Sequence, residues 1–298
     1  DAWLRFNRGY TTLKDEHFKK YAARLGEPIE LSNAHLPTYV LPPYLMASGP
    51  DDPWWDSSMR FWDAAEQANV GSNRQQLVRV VGAKNAGALD GLLSAVNDAE
   101  IAVWVSGLDE LVAVPGSEQA LIEYGRAIRK ATNRGSNLFA LYGGFFSVLL
   151  ANCGLRGSSH GIGYGEARQW LELPSSGPAP ARYYLPRAHR YVSQDLAGLL
   201  WTKARELIEC GCPECGGKNP ARLDYHALMK HSVHCRSEEI NAWNQLPFQD
   251  AVARLEVDSA AFDEAIPEME VPRALQRQAD QCYVHLRKWA NILRALDR

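Results

Sequence analysis

Leu77-Val-Arg-Val-Val-Gly82, Ile101-Ala-Val-Trp-Val-Ser106 and Leu138-Phe-Ala-Leu-Tyr142 are three short β-branched and aromatic runs, and helical patterns separate them at residues 88–96 and 117–132. A strand, a helix of about a dozen residues and another strand bring the chain back in its original direction, so the pairing this order predicts is parallel. The alternation extends both ways. Further strands are expected at 39–45, 160–164 and 182–185, and further helices at 57–68, 145–152 and 195–206. Residues 12–25 add a helical pattern but no strand. No glycine-rich dinucleotide fingerprint follows the first strand.

The fold class expected is α/β. A (β/α)8 barrel and an open doubly wound sheet both accommodate six strands with helical crossovers. We take the first as the working expectation, a TIM-like (β/α) barrel left incomplete at the N-terminus because two of its strands are not visible. The expected division is a barrel-like domain over 1–208, then a metal-binding subdomain and C-terminal helices over 209–298, packed on the barrel. After the cysteines the pattern is helical at 240–255 and 272–296. Cys282, Leu286, Trp289, Leu293 and Leu296 form one apolar stripe at steps of four and three.

Composition narrows the function classes. The 298 residues are 46% apolar and 22% charged, the proportions of a folded globular chain. Lys and Arg number 32 against 35 Asp and Glu, so no protein-wide positive field draws it to nucleic acid. No apolar run is long enough to span a bilayer, so no membrane partner is expected. The cysteines are crowded rather than spread, which suits metal binding in a reducing compartment, taken as the cytoplasm, better than a secreted disulfide scaffold.

Four of the six cysteines fall between 210 and 235, beside His226, His231 and His234. Cys210-x-Cys212-x-x-Cys215 offers three thiolates within one loop, and a later histidine completes the tetrahedral set of a structural Zn2+ site. His234 is the first choice for that ligand, with His231 and Cys235 as alternatives. Four protein ligands leave no open position for water, so the metal is expected to hold structure.

In parallel α/β folds the ligand site lies where strands end. Asp109 and Glu110 follow one strand, Gly143 and Gly144 another, and Gly161-Ile162-Gly163-Tyr164-Gly165-Glu166 a third. A carboxylate among bare backbone amides and carbonyls suits a purine-like base. Asp109 equally suits a helix cap, and each glycine cluster a turn.

The order of these pieces resembles the tRNA-guanine transglycosylase family over about residues 100–240. Ala102-Val-Trp-Val-Ser-Gly-Leu-Asp-Glu-Leu111 is similar to its strand ending in Phe-Asp-Glu-Cys. Leu138-Phe-Ala-Leu-Tyr-Gly-Gly144 resembles Leu-Phe-Gly-Ile-Val-Gln-Gly-Gly, with Tyr142 where Gln stands. Gly161-Ile-Gly-Tyr-Gly-Glu166 resembles Gly-Leu-Ser-Val-Gly-Glu, and Cys-x-Cys-x-x-Cys with a later His resembles the zinc motif. The resemblance implies a TIM-like barrel with a zinc subdomain that exchanges guanine for a 7-deazaguanine base in tRNA or DNA. It implies base recognition by Asp109, backbone contacts from Gly161 and Ile162, support from Glu166, and a pocket floor at Gly143 and Gly144 beside Tyr142. It also implies zinc on Cys210, Cys212, Cys215 and His234, and an assembly as a homodimer or a heterodimer.

The chain departs from the family at the nucleophile. The Phe-Asp-Cys-Val-x-Pro-Thr-Arg segment that carries the covalent Asp is absent, and Thr-Asp-Ser-Gly-Gly has only Trp55-Asp56-Ser57-Ser58 as counterpart. Asp56 is therefore the expected catalytic carboxylate, with Asp51, Asp52 and Glu110 as substitutes. Three functions stay open: a divergent base transglycosylase, a silent homologue that binds nucleic acid or pairs with an active subunit, and a zinc-stabilised TIM-like enzyme for a small molecule. Residues 181–236 hold nine Lys or Arg against five acids, a local excess suited to phosphates. Arg187, His189, Arg190 and Tyr191 suit contacts to unstacked bases and equally a solvated basic face, while the Trp54-Trp55 pair suits a flipped-out base less well than buried aromatic packing.

Overall fold

The computed structural model describes residues 13–25, 39–69, 76–111, 116–160 and 181–298. Helix α1 (Asp15–Leu25) precedes strands β1 (Tyr39–Val40) and β2 (Met46–Ala47) and helix α2 (Pro53–Asn69). The single strand expected over 39–45 is thus two short pieces. Pro42 and Pro43 lie between them and supply no N–H to a ladder. Next come β3 (Gln76–Leu77), β4 (Arg79–Ala83), α3 (Ala86–Ser94), β5 (Glu100–Val105), α4 (Ser117–Asn133), β6 (Asn137–Ala140), α5 (Phe145–Leu149) and β7 (Leu155–Ser158).

Five of these strands form one sheet in the order β2-β4-β5-β6-β7, every pair parallel. The order never reverses, and a doubly wound sheet requires a reversal. Right-handed crossovers then put the connecting helices on one face. Alternation along the strands agrees. Val81, Ala83, Ile101, Val103, Val105, Leu138 and Ala140 join Leu89, Leu92, Leu121 and Ile128 of α3 and α4 in the main core. Val78, Val80 and Ala102 form a second cluster with Tyr44 and Leu141. The described strands make an arc wound in one direction; a closed barrel is not among them. β1 and β3 pair separately, also in parallel.

The strand expected at 182–185 takes a different role. β8 (Arg182–Leu185) pairs antiparallel with β9 (Arg190–Ser193) as a hairpin, so it is not another parallel crossover strand. Pro186 starts the 3-10 turn between them, and His189 closes it in the left-handed region at φ 53°. The strand expected at 160–164 falls almost wholly outside the described residues.

Helix α6 (Gln194–Lys203) starts at Ser193, whose hydroxyl accepts from the Leu196 N–H. Beyond the cysteine loop run α7 (Tyr225–Trp243), α8 (Phe248–Glu268), α9 (Arg273–Gln281) and α10 (His285–Asp297). The helix expected at 240–255 is interrupted at Asn244–Pro247, because Pro247 cannot continue α7. The expected stripe holds, with Cys282, Leu286, Trp289, Leu293 and Leu296 all buried. It packs α10 on α8 and α4, and one continuous cluster runs from Ala47 to Leu296. Fully burying a side chain such as Leu286 or Leu293 stabilises by roughly 1.5–3 kcal/mol. No described helix is long and apolar enough to cross a membrane.

Candidate metal centre and the strand-end loops

Cys210, Cys212, Cys215 and His231 place one ligand atom each within 4.8 Å of one another. The His231 Nδ1 lies 3.3 Å from Cys212 Sγ, 3.2 Å from Cys215 Sγ and 3.8 Å from Cys210 Sγ. Tetrahedral zinc with bonds of 2.0–2.3 Å needs edges of about 3.5–3.8 Å, so the donor set fits such a cation with small adjustments. Sequence spacing makes the loop possible. The Cys212 N–H donates to Cys210 Sγ and the Cys215 N–H to Cys212 Sγ, both at 3.4 Å. Gly216 and Gly217 then turn at φ 47° and 71°, which a side chain would oppose.

The histidine is where the sequence expectation is corrected. Asp224 caps α7 by accepting from the Ala227 N–H, and Leu228, His231, Ser232, Cys235, Arg236, Glu239 and Trp243 form its buried face. Each residue turns the helix by about 100°, so His234 stands about 60° to one side of His231 and Cys235 about 40° to the other. The buried face lies on the Cys235 side, and His234 is exposed. His231 therefore joins the thiols, and His234 does not. Cys235 is a fifth donor nearby, its Sγ 3.6 Å from Cys210 Sγ and 3.5 Å from His231 Nδ1.

The other ring nitrogen supplies an independent fit. His231 Nε2 lies 2.6 Å from the Tyr184 carbonyl oxygen, which can only accept, so Nε2 carries the proton and Nδ1 turns its lone pair to the sulfurs. Histidines that bind metals are oriented in this way. Tyr183 stacks on the same ring at 4.2 Å, and burial and the neighbouring thiols push its phenol up. Hydrogen bonds from Cys215 and Cys235 hold the Cys210 thiol far down, while Cys215 is pushed up by the bond it gives Cys210 and by burial. One thiol of the group is thus the preferred anion before any cation adds its charge.

Tyr184 also links the cluster to a buried polar network that the sequence did not announce. Its hydroxyl donates to Glu239 Oε2 at 2.7 Å, and His189 Nδ1 lies 2.6 Å from Glu239 Oε1. The His189 ring stacks on Phe145 at 3.6 Å, and Arg236 lies 3.5 Å from Glu239. His189 is 5% exposed, so it does not meet an unstacked base at the surface. Of its neighbours, Arg187 pairs with Asp258, and Arg190 is partly buried and donates to the Gln281 carbonyl. Trp55 is buried as well.

The strand-end residues lie where the sequence put them, each with contacts of its own. Asp109 is exposed just past β5. Its Oδ1 accepts from the Leu111 N–H at 2.9 Å and its carbonyl from Lys288 Nζ at 3.0 Å. Gly144 follows β6, and its N–H donates to Glu110 Oε1 at 3.3 Å. A Cβ there would lie 2.1 Å from Glu110 Oε2, and one on Gly143 would lie 2.6 Å from Ser147 Oγ. The glycine pair thus packs two loops together. Tyr142 precedes it at φ 56°, with its ring 5.4 Å from Trp104. Gly161, Ile162 and Glu166 lie outside the described residues.

Asp56 is exposed in the first turn of α2. Asp52 just before it is the anchored carboxylate. Ser48 N–H, Ser48 Oγ, Trp54 N–H and Lys84 Nζ all donate to it at 2.6–3.0 Å. Burial alone would raise its carboxyl, but these bonds outweigh burial and hold it well below the usual carboxylate range. Lys84 follows β4, so the pair joins two strand ends. No protein-family model, curated protein or solved structure matches the chain.

Proposed function

We propose that this chain is a divergent nucleic-acid base transglycosylase that exchanges guanine for a 7-deazaguanine base in tRNA or DNA. The observation that carries the reading is the Cys3His cluster that follows, beyond a hairpin and α6, a β/α scaffold wound in one direction. This is the order of parts in the family that the motifs resemble. The cluster would hold Zn2+ through Cys210, Cys212, Cys215 and His231. All four positions are then filled by protein, so the ion stabilises the loop. The proposal includes closure of the arc into a TIM-like barrel, and a homodimer or heterodimer.

In the exchange, a carboxylate oxygen attacks the sugar C1′ as the bond to guanine breaks. The departing base takes that electron pair and a proton from a general acid, and the incoming base then displaces the carboxylate as its own ring proton passes back to that group. Asp56 is the proposed nucleophile, since it is exposed while Asp52 is held by four donors and Glu110 by Gly144. Asp109, Tyr142, Gly143 and Gly144, with Gly161, Ile162 and Glu166, are the proposed base-binding set. The same occupied carboxylates favour a second reading, a silent subunit that binds nucleic acid beside an active partner.

Trapping decides between them. The protein is incubated with tRNA or DNA and a 7-deazaguanine analogue, then run on a denaturing gel. A covalent adduct lost in Asp56→Asn and kept in Asp52→Asn supports the exchange. Binding without an adduct makes the chain the silent subunit, and no binding of either polymer favours a small-molecule enzyme.

A further inference from the structure

The structure sorts the nine cations of residues 181–236. Arg187 is paired with Asp258, Arg190 donates to the Gln281 carbonyl, Arg236 lies against Glu239 and Lys230 lies 3.9 Å from Glu214. Lys230 is nevertheless exposed, as are Lys203, Arg205, Lys218 and Arg222, while Arg182 is partly buried. Lys218 and Arg222 line one cleft of about 660 Å³ with Trp201, Thr202, Gly217 and Asn219. The Arg205 guanidinium lies 4.2 Å from the centre of the Trp201 ring. No carboxylate is among those described lining residues; Glu206, beside Arg205, Asp224, two residues after Arg222, and Glu214, four before Lys218, are acids close to the group in sequence.

The cleft is built, because the loop that carries Lys218 and Arg222 is fastened on both sides. The Lys218 N–H donates to the Cys215 carbonyl at 2.7 Å, next to the metal cluster. Gln194 of α6 donates to the carbonyls of Pro220 and Leu223. Trp201 packs partly on the main core, so its ring is a fixed surface.

We propose that this cleft binds a single-stranded nucleic-acid segment, with its phosphates on Lys218, Arg222 and Arg205 and a base against Trp201. A guanidinium stacked on an indole still directs its N–H groups outward in plane, toward phosphate oxygens. Aromatic rings flanked by cations grip single strands because every base has a flat face. A duplex keeps those faces stacked inside, and an acidic peptide would use the cations while leaving the indole unmatched. The inference rests on the nucleic-acid reading above and deepens it by assigning the strand's contact to the metal-bearing loop rather than the strand ends.

The test is fluorescence anisotropy with labelled 12-nucleotide DNA and RNA strands across a salt series. The proteins are the full chain, Lys218→Ala/Arg222→Ala, Trp201→Phe, Trp201→Ala and, as a control on α4, Lys130→Ala, each with its metal content measured. Two lost phosphate contacts lower the slope of log K against log salt by about 1.4, and affinity falls about tenfold or more. Trp201→Ala weakens binding about tenfold, while Trp201→Phe and Lys130→Ala keep most of it. Unchanged affinity and slope in the double variant overturn this inference and leave the base exchange standing. Intact strand binding with no covalent adduct does the reverse. Equal displacement by polyglutamate at matched charge also overturns it.

Discussion

His231 Nε2 lies 2.6 Å from the carbonyl oxygen of Tyr184, so the backbone of β8 dictates which nitrogen of a histidine on α7 faces Cys210, Cys212 and Cys215. The candidate metal site is therefore assembled from three separate elements, a loop and a helix that carry the donors and a hairpin that orients one of them.

Metal content follows from that arrangement. Elemental analysis is expected to give about one zinc per chain for the unaltered protein, for His234→Ala and for Cys235→Ser, and far less for His231→Ala. Structural zinc contributes on the order of 10 kcal/mol or more to the fold around it, so chelation should lower the melting temperature. Full zinc in His231→Ala would show that Cys235 completes the site.

Gly144→Ala tests the loop packing at the strand ends. The backbone of Gly144, at φ −86° and ψ −165°, accepts alanine, so any cost comes from the Cβ meeting Glu110. Chemical denaturation should show a loss of about 1–3 kcal/mol. Glu110→Ala combined with it should recover part of that loss, because the clashing carboxylate is gone. Strictly additive effects would mean that the two residues do not touch.

Acid should act through His285. Its Nε2 lies 2.7 Å from the Ala188 carbonyl oxygen and its Nδ1 has no hydrogen-bond partner among the described residues. Burial first, then Arg190, His189 and Lys288, holds this imidazole well below its ordinary range. Above about pH 6.5 both folded and unfolded forms are neutral. Below it the unfolded chain takes the proton and the folded one does not, so stability falls by up to about 1.4 kcal/mol per pH unit until the folded pKa is reached. His285→Gln should flatten this part of the pH dependence of the urea midpoint; an unaltered slope would rule the residue out.

Glu239 should be the costliest polar side chain to remove. It accepts from Tyr184 and faces His189 and Arg236, all within the core. Glu239→Ala leaves Arg236 buried without its counter-charge and Tyr184 and His189 without their acceptor, and a loss of about 3–5 kcal/mol in urea unfolding is expected. A loss under about 1 kcal/mol would mean that water replaces the carboxylate.

Local pattern was legible where neighbours in sequence are neighbours in space. The thiols of Cys210, Cys212 and Cys215 converge because one short loop carries them, and strands at 101–106 and 138–142 were readable from their apolar runs. Gly143 and Gly144 were legible as a bare pair after a strand, but not that their missing side chains make room for Ser147 and Glu110. The strand at 182–185 was correct as a strand and incorrect as a parallel one, because pairing direction depended on Pro186 and His189 turning the chain at once.

The amino-acid order alone determined the parallel α/β class, the thiolate loop and the apolar stripe from Cys282 to Leu296, since periodicity and short spacing are properties of the chain itself. The tertiary structure decided that His231 and not His234 meets the thiols, that Asp52 is anchored while Asp56 is exposed, and that three of the nine cations, Arg205, Lys218 and Arg222, gather around Trp201. Each of those outcomes depends on which face of an element is covered by a distant one. On α7 only about 60° separates the buried His231 from the exposed His234, and packing alone sets which of the two faces the thiols.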